Sequence, residues 1–574
     1  MVRCTFPKFL SIAAGAALLA CGAGCDAPNE IQPEIFQPQK SAEEVKNKPN
    51  ILVIVADDLG FTDLGSFGGE ISTPTLDELA NSGTRFSQFH AGPMCSVTRA
   101  MLLTGVDNHI VGLGAFNQAT VARNQKGLAG YEGYLNKSAA SMSEIFSSAG
   151  YNTYIAGKWH LGTSVENSPP AHKFTRSFVL TDGGAGQFNA LPAEPFSRRA
   201  GFREDGIAVD LPDDFYSSDF YAEKMIEYIK LDLEENRPFL GYLAYTAPHW
   251  PLQAKQETIK KYEHQYLEGY DRIAASRRDR ALRLGIIEKD AQPAPYHGDE
   301  IVPWSALSDQ EKRYEAKRMA VYAAMIDDLD FATSKVINFL KDIGQLDNTI
   351  VVFLSDNGAE GHTVDTIVPL VRLFTLFGEE CCDNSYENIG NADSFIGLGP
   401  MWAQASIGAH RLYKGFPTQG GVIAPAFIYY PRLKGPTIYH APLSVKDILP
   451  TLMELAGIQD HGAEFDGRPV HPIEGRSFVS NLSSHSETND NEFTMGWEVF
   501  GKQAIRVGDW KLVKLPDPYG DDEWQLFDLQ SDPAEMEDLS ERYPEKLSSM
   551  KVSWEKYQQS SNIILPEGPW WLEY

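Results

Sequence analysis

Cysteine is scarce in this chain: six occur in 574 residues, and three of them lie near the amino terminus. The others are Cys95 and the adjacent pair Cys381 and Cys382. So few thiols exclude a small scaffold held together by disulfides. Neighbouring cysteines rarely bridge without strain, so we expect Cys381 and Cys382 to be free or locally packed thiols.

Positive charge is also in short supply, with 50 lysines and arginines against 78 aspartates and glutamates and a net charge of −28. This balance excludes nucleic acid and an anionic membrane surface as partners. A site for an anionic substrate would therefore need cations gathered locally. Internal repeats and low-complexity domains are absent from the sequence. With 43% hydrophobic residues, the chain can bury a large core and is long enough for more than one domain.

The hydrophobic run near the amino terminus, residues 9–20, is too short to span a membrane. It follows the basic residues Arg3 and Lys8, and this pattern predicts a signal peptide over residues 1–20. Residues 21–47 are rich in proline, glutamine and charged side chains, which is typical of a tether. We therefore expect the protein to be exported.

Two forms of export are compatible with this leader. Leu18-Leu19-Ala20-Cys21 resembles a bacterial lipoprotein box, which predicts a lipidated Cys21, a lipid anchor to the membrane, and a location in the periplasm or outer membrane. The alternative is ordinary cleavage near Ala23, with release into the periplasm or the medium.

Four apolar, β-rich runs in the body of the chain each end in polar residues. Such runs predict strands buried on both faces of a parallel sheet, and helical stretches lie between them. Ligands of open α/β sheets bind beyond the carboxyl ends of the strands, so we expect one shared site. The runs are residues 50–56 before Asp57-Asp58, 151–157 before Lys158 and His160, 238–245 before His249, and 349–355 before Asp356-Asn357. The alternation predicts a doubly wound α/β domain with a mostly parallel, mixed sheet.

Carboxylate and amide oxygens dominate two of these strand ends. Asp57, Asp58, Asp356 and Asn357 form a ligand set made only of oxygen atoms. Such a set suits a hard divalent cation, Ca²⁺ or alternatively Mg²⁺, better than Zn²⁺.

A cysteine opens the segment of residues 95–104, which Gly105 closes. The apolar run behind Cys95 predicts a buried helix that begins near this cysteine. A helix amino terminus favours an anion. Arg99 follows four residues later on the same helical face, so its guanidinium can lie beside Cys95.

Together these motifs resemble the bacterial arylsulfatases, members of the formylglycine-dependent sulfatases in the alkaline phosphatase superfamily. Residues 95–105 resemble the family signature Cys-x-Pro-x-Arg followed by Thr-Gly, and residues 157–162 match Gly-Lys-Trp-His-Leu-Gly. Pro248-His249 and Lys414, which precedes a Gly-Gly segment, match further motifs. Val97 departs from the signature proline, but a β-branched residue also favours the extended backbone that the modifying enzyme reads.

The resemblance covers residues 48–560 and implies two domains. The first is a catalytic α/β domain over residues 48–430. The second is a smaller α+β domain over residues 431–574, with an antiparallel sheet and a terminal helix. Short alternating runs at residues 493–499, 503–507, 510–514 and 524–529 predict that sheet, and residues 443–452 predict one helix that enters this domain.

What the resemblance implies for function is hydrolysis of sulfate monoesters, on a small molecule or a glycan. A formylglycine-generating enzyme would oxidise Cys95 to formylglycine, whose gem-diol attacks sulfur while bound to a single Ca²⁺. The implied metal ligands are Asp57, Asp58, the modified Cys95, Asp356 and Asn357. Arg99 would stabilise the diol, Lys158 would bind the sulfate, His249 and Lys414 would face the leaving oxygen, and His160 would accept a proton from the second hydroxyl.

Two other functions compete with this one. The first is a phosphate or phosphonate ester hydrolase of the same superfamily, although such enzymes commonly carry Asp-His where this chain has Asp356-Asn357. The second is a non-catalytic, lipid-anchored binder of sulfated glycans. The sequence does not indicate the oligomeric state.

Overall fold

The computed structural model of the protein describes residues 48–117, 120–193, 199–287, 292–298, 301–362, 382–484 and 493–567. The predicted signal peptide, the tether and Cys21 lie outside these residues. Among the described residues, no helix combines the length and apolar character needed to cross a membrane.

The core of the molecule is a ten-stranded mixed sheet in the order β11-β2-β10-β9-β1-β8-β4-β5-β6-β7. Its central strands β9, β1, β8, β4 and β5 are parallel, and antiparallel strands lie toward both edges. The strands are β1 (Asn50–Ala56), β2 (Thr84–Phe86), β4 (Asn152–Lys158), β5 (Arg176–Leu180), β6 (Phe202–Glu204), β7 (Ile207–Ala208), β8 (Phe239–Ala244), β9 (Thr349–Ser355), β10 (Ala426–Tyr429) and β11 (Ile438–Tyr439). The predicted mostly parallel, mixed α/β sheet is confirmed.

Helices between these strands pack against the sheet, as expected of a doubly wound fold. The longest begins at a capping box in which Ser308 accepts a hydrogen bond from the N–H of Glu311. The helices are α1 (Pro74–Ser82), α2 (Cys95–Thr104), α3 (Met142–Ser148), α4 (Ser217–Leu231), α5 (Gln256–Tyr262), α6 (Tyr270–Leu284), α7 (Asp309–Asp342), α8 (Pro400–Ala405), α9 (Gln419–Val422), α10 (Ile448–Leu455), α11 (Val479–Ser484) and α12 (Pro544–Ser560).

The carboxyl-terminal part carries a four-stranded antiparallel sheet, in the order β15-β16-β17-β18, and ends in α12. Trp554 and Met550 of α12 pack against the apolar face of this sheet. The indole N–H of Trp497 donates to the carbonyl oxygen of Ala91, which attaches the sheet to the chain just before Cys95. The strands are β15 (Thr494–Val499), β16 (Lys502–Val507), β17 (Trp510–Lys514) and β18 (Trp524–Asp528), and two-stranded ladders join β3 (Phe89–His90) to β12 (Leu443–Ser444) and β13 (Glu464–Phe465) to β14 (Arg468–Pro469).

Two expectations differ from the structure. Residues 443–452 do not form one helix, because Leu443 and Ser444 pair with β3 and the α-helix begins only at Ile448. Cys382 takes part in a disulfide, so the expectation of a free thiol is wrong there. Cys381 lies outside the described residues.

The predicted boundary between residues 430 and 431 stays a prediction. Strand β11 lies beyond it in the chain and yet pairs with β2 of the large sheet.

Candidate functional site

Four neighbouring parallel strands, β9, β1, β8 and β4, end at the same edge of the large sheet. The register sets Ala56 of β1 opposite Ser355 of β9, so the chains leave both strands at one level. The carboxylates and the two histidines predicted for the site follow these strands, and Lys158 is the last residue of β4. The structure therefore brings the predicted strand ends together, and Lys414 and the start of α2 join them from elsewhere in the chain.

The Asp57-Asp58 turn carries two fully buried carboxylates. Asp58 has a φ of 70°, a left-handed conformation that a non-glycine residue keeps only when its surroundings enforce it. Its N–H donates to Asp356 Oδ1 at 3.2 Å, and its carbonyl oxygen accepts from the Tyr322 hydroxyl at 3.2 Å. These contacts hold the backbone of Asp58 in this conformation.

Cys95 is the first residue of α2, as the sequence predicted, and its thiol lies 3.6 Å from Asp58 Oδ1. Burial and the nearby Asp356 carboxylate raise the pKa of the Cys95 thiol well above its usual range. The unmodified side chain is therefore a neutral thiol at neutral pH, a poor nucleophile compared with a thiolate.

Arg99, one turn after Cys95, is fully buried between strand ends. Its Nε and Nη2 lie 2.9 and 2.7 Å from Asp356 Oδ2, and its Nη1 donates to the carbonyl oxygen of Lys158 at 3.0 Å. Burial opposes charge here, but Asp356 and Asp57 outweigh it and raise the pKa of Arg99 further. Arg99 thus contributes a permanent positive charge at the base of the site.

The two lysines each face one carboxylate of the Asp57-Asp58 pair. Lys158 Nζ lies 2.7 Å from Asp57 Oδ2, and Lys414 Nζ lies 2.8 Å from Asp58 Oδ2. Burial disfavours their charged forms, but these carboxylates outweigh it and raise the pKa of both lysines. Both side chains are therefore ammonium groups, suited to bind an anion.

The two histidines have neutral rings. Burial lowers the pKa of His249 to about 3, although Asp58 lies 3.6 Å from its Nε2. Burial also lowers the pKa of His160 well below its usual value, and Lys158 and Arg99 add to this effect. A neutral imidazole can accept a proton, which is the form that general base catalysis requires.

The donor set fits a hard divalent cation. The Oδ1 atom of Asn357 is buried without a hydrogen-bond partner, while its Nδ2 donates to Asp58 Oδ1 at 2.7 Å. An orphaned amide oxygen beside carboxylates is what a metal ligand looks like without its metal. Potential ligand atoms of Asp57, Asp58, Cys95 and His249 also lie within 4.8 Å of one another.

Sequence reasoning missed one buried acid in this centre. Glu360 Oε2 lies 3.1 Å from Lys414 Nζ, and its other oxygen lies 2.6 Å from His362 Nδ1. Burial opposes it, but Lys414 and His362 lower the pKa of the Glu360 carboxyl. The available signal was its place three residues after Asn357, in the segment Asp-Asn-Gly-Ala-Glu.

A cleft opens beside His160. One cavity of about 200 Å³ is lined by Phe116, Tyr134 and His160, among others. A second of about 480 Å³ shares Thr181 and Asp182 with it and extends over Arg203. The two cavities together lie in the size range of small-molecule sites.

Comparison with known proteins agrees with this geometry. A sequence model described as "Sulfatase" matches residues 49–458. An uncharacterised sulfatase of Schizosaccharomyces pombe is 42% identical over 541 residues, which cover 92% of this chain and 96% of that protein. The chain belongs to the sulfatase family. It is therefore an enzyme that hydrolyses sulfuric esters.

Two further proteins are similar to this sulfatase. The arylsulfatase of Klebsiella aerogenes is 39% identical over 443 residues, covering 75% of this chain and 91% of the relative. The crystal structure of Ps i-CgsB superposes with a TM-score of 0.63 and 24% identity, covering 91% of this chain and 95% of that one, and shows the shared fold.

Proposed function

We propose that this protein is an exported arylsulfatase-type enzyme that cleaves sulfate monoesters with a formylglycine at position 95 and one bound Ca²⁺. The observation that carries the proposal is the buried centre itself, in which Cys95 faces Asp58 while Arg99, Lys158 and Lys414 surround the carboxylates. An anionic ester binds only where cations offset its charge. This centre holds three cations, and the carboxylate paired with each of them would also contact the proposed Ca²⁺.

The nucleophile requires modification of Cys95. The raised pKa of its thiol argues against a thiolate acting directly. A hydrated formylglycine would supply a hydroxyl that attacks sulfur and a second hydroxyl whose deprotonation lets the aldehyde re-form and sulfate leave. Arg99 and Asp356, held together by their ion pair, support this end of the site.

Asp57, Asp58, Asp356 and Asn357 are the residues that would hold the cation, and the orphaned Oδ1 of Asn357 supports this assignment. When bound, the cation supplies Lewis-acid activation of the nucleophilic oxygen and neutralises charge on the sulfate. Mg²⁺ is the alternative ion, because the ligand set contains only hard oxygen donors.

The remaining side chains divide the work on the ester. Lys158 binds the sulfate oxygens, which would replace part of its present contact with Asp57. Lys414 and His249 lie on the other carboxylate, Asp58, and face the leaving oxygen, whose developing charge Lys414 neutralises. His160, with its neutral ring, accepts the proton from the second hydroxyl.

Two substrate classes are compatible with the neighbouring proteins. Relatives in bacteria and mammals are named arylsulfatases. Another solved structure shares the fold and holds D-glucosamine-2-N,6-O-disulfate. It has a TM-score of 0.57 and 19% identity, and the match covers 91% of this chain and 100% of that one. Phe116 and Tyr134 in the cleft could contact an aromatic ring or the face of a sugar. We propose an aryl sulfate or a sulfated sugar as the substrate.

The first experiment is peptide mass spectrometry across residue 95 on protein from its native host, followed by turnover of an aryl sulfate and the matching aryl phosphate. We expect formylglycine and a preference for the sulfate. Unmodified Cys95 in an active preparation would overturn the covalent mechanism. A preference for the phosphate would favour the competing phosphate ester hydrolase.

The proposed export is tested separately. We expect a tagged full-length protein to fractionate with the outer membrane or the periplasm. If the wild type is bound to the membrane, we expect the Cys21→Ser variant to be found in the soluble fraction. If both versions stay soluble and secreted, ordinary cleavage is correct and lipidation is not.

A further inference from the structure

Glu360 is a buried acid at the centre to which the proposed function gives no task. It is 5% exposed and does not belong to the group of potential metal ligands around Asp57 and Asp58. An ionised carboxylate is costly to bury unless specific partners compensate it. The question is therefore which partners it serves.

The chain after β9 is packed tightly along the segment that carries Lys414. A Cβ at Gly358 would overlap the carbonyl oxygen of Gly420, and a Cβ at Gly361 would overlap the ring of Tyr413. The N–H of Lys414 donates to the carbonyl oxygen of Ala359 at 3.1 Å. The two segments are thus in register, and the Glu360 side chain is brought to the Lys414 side chain.

Both oxygens of Glu360 are engaged. Oε2 lies 3.1 Å from Lys414 Nζ. Oε1 accepts the backbone N–H of His362 at 2.8 Å and lies 2.6 Å from the Nδ1 of the same residue. The His362 ring stacks on Phe416, so it is itself held in place. The carboxylate is therefore fixed from one side and presented to the lysine on the other.

Lys414 has a second carboxylate partner, Asp58, at 2.8 Å. Asp58 is also proposed as a metal ligand, so its oxygens have a competing task. Glu360 has none. The lysine side chain is long and has several rotatable bonds, so two carboxylates restrain the Lys414 ammonium more closely than Asp58 alone.

We propose that Glu360 is a positioning residue that holds the Lys414 ammonium where the leaving oxygen departs, and that His362 in turn orients Glu360. This inference rests on the proposed sulfatase mechanism. It assigns Glu360 an effect on leaving-group departure rather than on substrate binding in general.

The test uses Glu360→Gln, which keeps the shape and removes the charge. Wild type and variant are compared on a series of aryl sulfates graded in phenol acidity, from para-nitrophenyl to unsubstituted phenyl sulfate. We expect kcat/KM to fall about 10- to 100-fold for the poorest leaving group and much less for the best. The reason is that the oxygen of the poorest leaving group carries the largest negative charge in the transition state and depends most on the Lys414 ammonium. A uniform loss across the series would overturn the inference.

A double-variant cycle with Lys414→Ala tests whether the two residues act together. If Glu360 acts through Lys414, adding Glu360→Gln to Lys414→Ala causes no further loss. Multiplying losses would overturn the inference. His362→Phe keeps the stacking on Phe416 and the backbone N–H that donates to Glu360, and removes only the ring contact with Glu360. We therefore expect the same selective loss at smaller size, and this variant also serves if Glu360→Gln fails to fold.

The matched control is Glu144→Gln. Glu144 is also buried, at 7% exposed, and its Oε1 lies 3.2 Å from the ammonium of Lys137, a lysine outside the catalytic centre. We expect it to lower thermal stability without changing the dependence on leaving group. Wild-type turnover is measured first. A wild type that is inactive on every aryl sulfate contradicts the proposed function itself. An active wild type combined with a Glu360→Gln loss that is equal for all leaving groups contradicts only this inference.

Discussion

Arg99 and Asp356 lie 257 residues apart in the chain, yet the guanidinium Nη2 is 2.7 Å from the Asp356 carboxylate and both side chains are fully buried. One residue belongs to the helix that begins at Cys95, and the other follows strand β9. Their ion pair therefore fixes the modified position relative to the sheet edge that carries the proposed metal ligands.

Removing the charge of either Arg99 or Asp356 should lower the stability of the folded protein. We expect Arg99→Ala to lower the free energy of unfolding by about 3–5 kcal/mol, because it leaves the Asp356 carboxylate buried and without its main counter-charge. Asp356→Asn should act in the same direction. Urea titration of the purified variants measures both.

The combined variant separates this electrostatic effect from lost packing. Arg99→Ala with Asp356→Asn should be less destabilised than the sum of the single variants, because no uncompensated charge remains. Additive effects would show that the pair contributes nothing through its charge.

Cys95→Ala should abolish turnover and leave the fold intact. The thiol is small, and losing it should cost about 1 kcal/mol of stability, whereas the proposed nucleophile is lost completely. Activity assays paired with thermal unfolding test this. Full activity in the variant would contradict the mechanism.

Val97→Pro restores the family's signature residue. Val97 lies in the first turn of α2, where proline is tolerated because its missing N–H has no partner within the helix. We expect the variant to fold and the fraction of formylglycine at position 95 to be equal or higher. Mass spectrometry of the tryptic peptide measures that fraction, and a lower value would show that valine is the better residue here.

Metal removal should lower thermal stability as well as activity. A ligand present at 100 times its Kd stabilises the folded state by about 2.7 kcal/mol, so chelation should lower the melting temperature and Ca²⁺ should restore it. Asn357→Leu should weaken this response, because it removes the orphaned amide oxygen. A melting temperature that ignores chelator and Ca²⁺ alike would contradict the assigned cation site.

Much of the fold could be predicted from the sequence because buried parallel strands have a distinctive sequence pattern. Residues 50–56 and 349–355 were predicted as strands and are strands, because short, β-branched apolar runs are typical of the central strands of a parallel sheet. The start of α2 near Cys95 followed from the apolar run behind this residue. The prediction of one helix over residues 443–452 was wrong because Leu443-Ser444 pairs with β3, a strand far away in the sequence. Such long-range pairing cannot be predicted from the local sequence pattern.

The site was less completely predictable. The residues that end the four strands could be gathered by the rule for open α/β sheets, but Lys414 was found only through a family motif. Glu360 was missed because its contact with Lys414 depends on tight packing between residues 358–361 and the segment around Lys414. Its position three residues after Asn357 places it near the strand end but does not show this contact.

A buried polar cluster joins the large sheet region to the carboxyl-terminal sheet and should make stability depend on pH. His109 lies between Asp107 and Glu498, with ring nitrogens 2.9 and 3.1 Å from their carboxylates, and Tyr557 of α12 donates to Asp107 at 2.8 Å. Burial opposes the charged ring, but hydrogen bonds to both carboxylates raise the pKa of His109 to about 9 from 6.5.

The sign of the effect follows from that shift. Because the folded pKa is the higher one, the protonated ring contributes stability fully below pH 6.5 and loses the contribution as the pH rises through about 9. The contribution is about 3 kcal/mol at its maximum. Burial also opposes ionisation of Asp107, but His109 lowers the pKa of this carboxyl to about 2. The ionised Asp107 carboxylate therefore contributes its full stabilisation of the folded state above about pH 4, and this contribution is lost as the pH falls toward 2.

Urea unfolding of wild type and His109→Gln between pH 5 and pH 10 measures the difference. We expect wild type to exceed the variant most near pH 6 and the gap to close toward pH 10, since the variant carries no ionisable ring at this position. Glu498→Gln removes one acceptor charge and should move the midpoint of that closure to lower pH. A gap that stays constant over the whole range would mean that the His109 ring is neutral in the folded protein and that the cluster is held by hydrogen bonds alone.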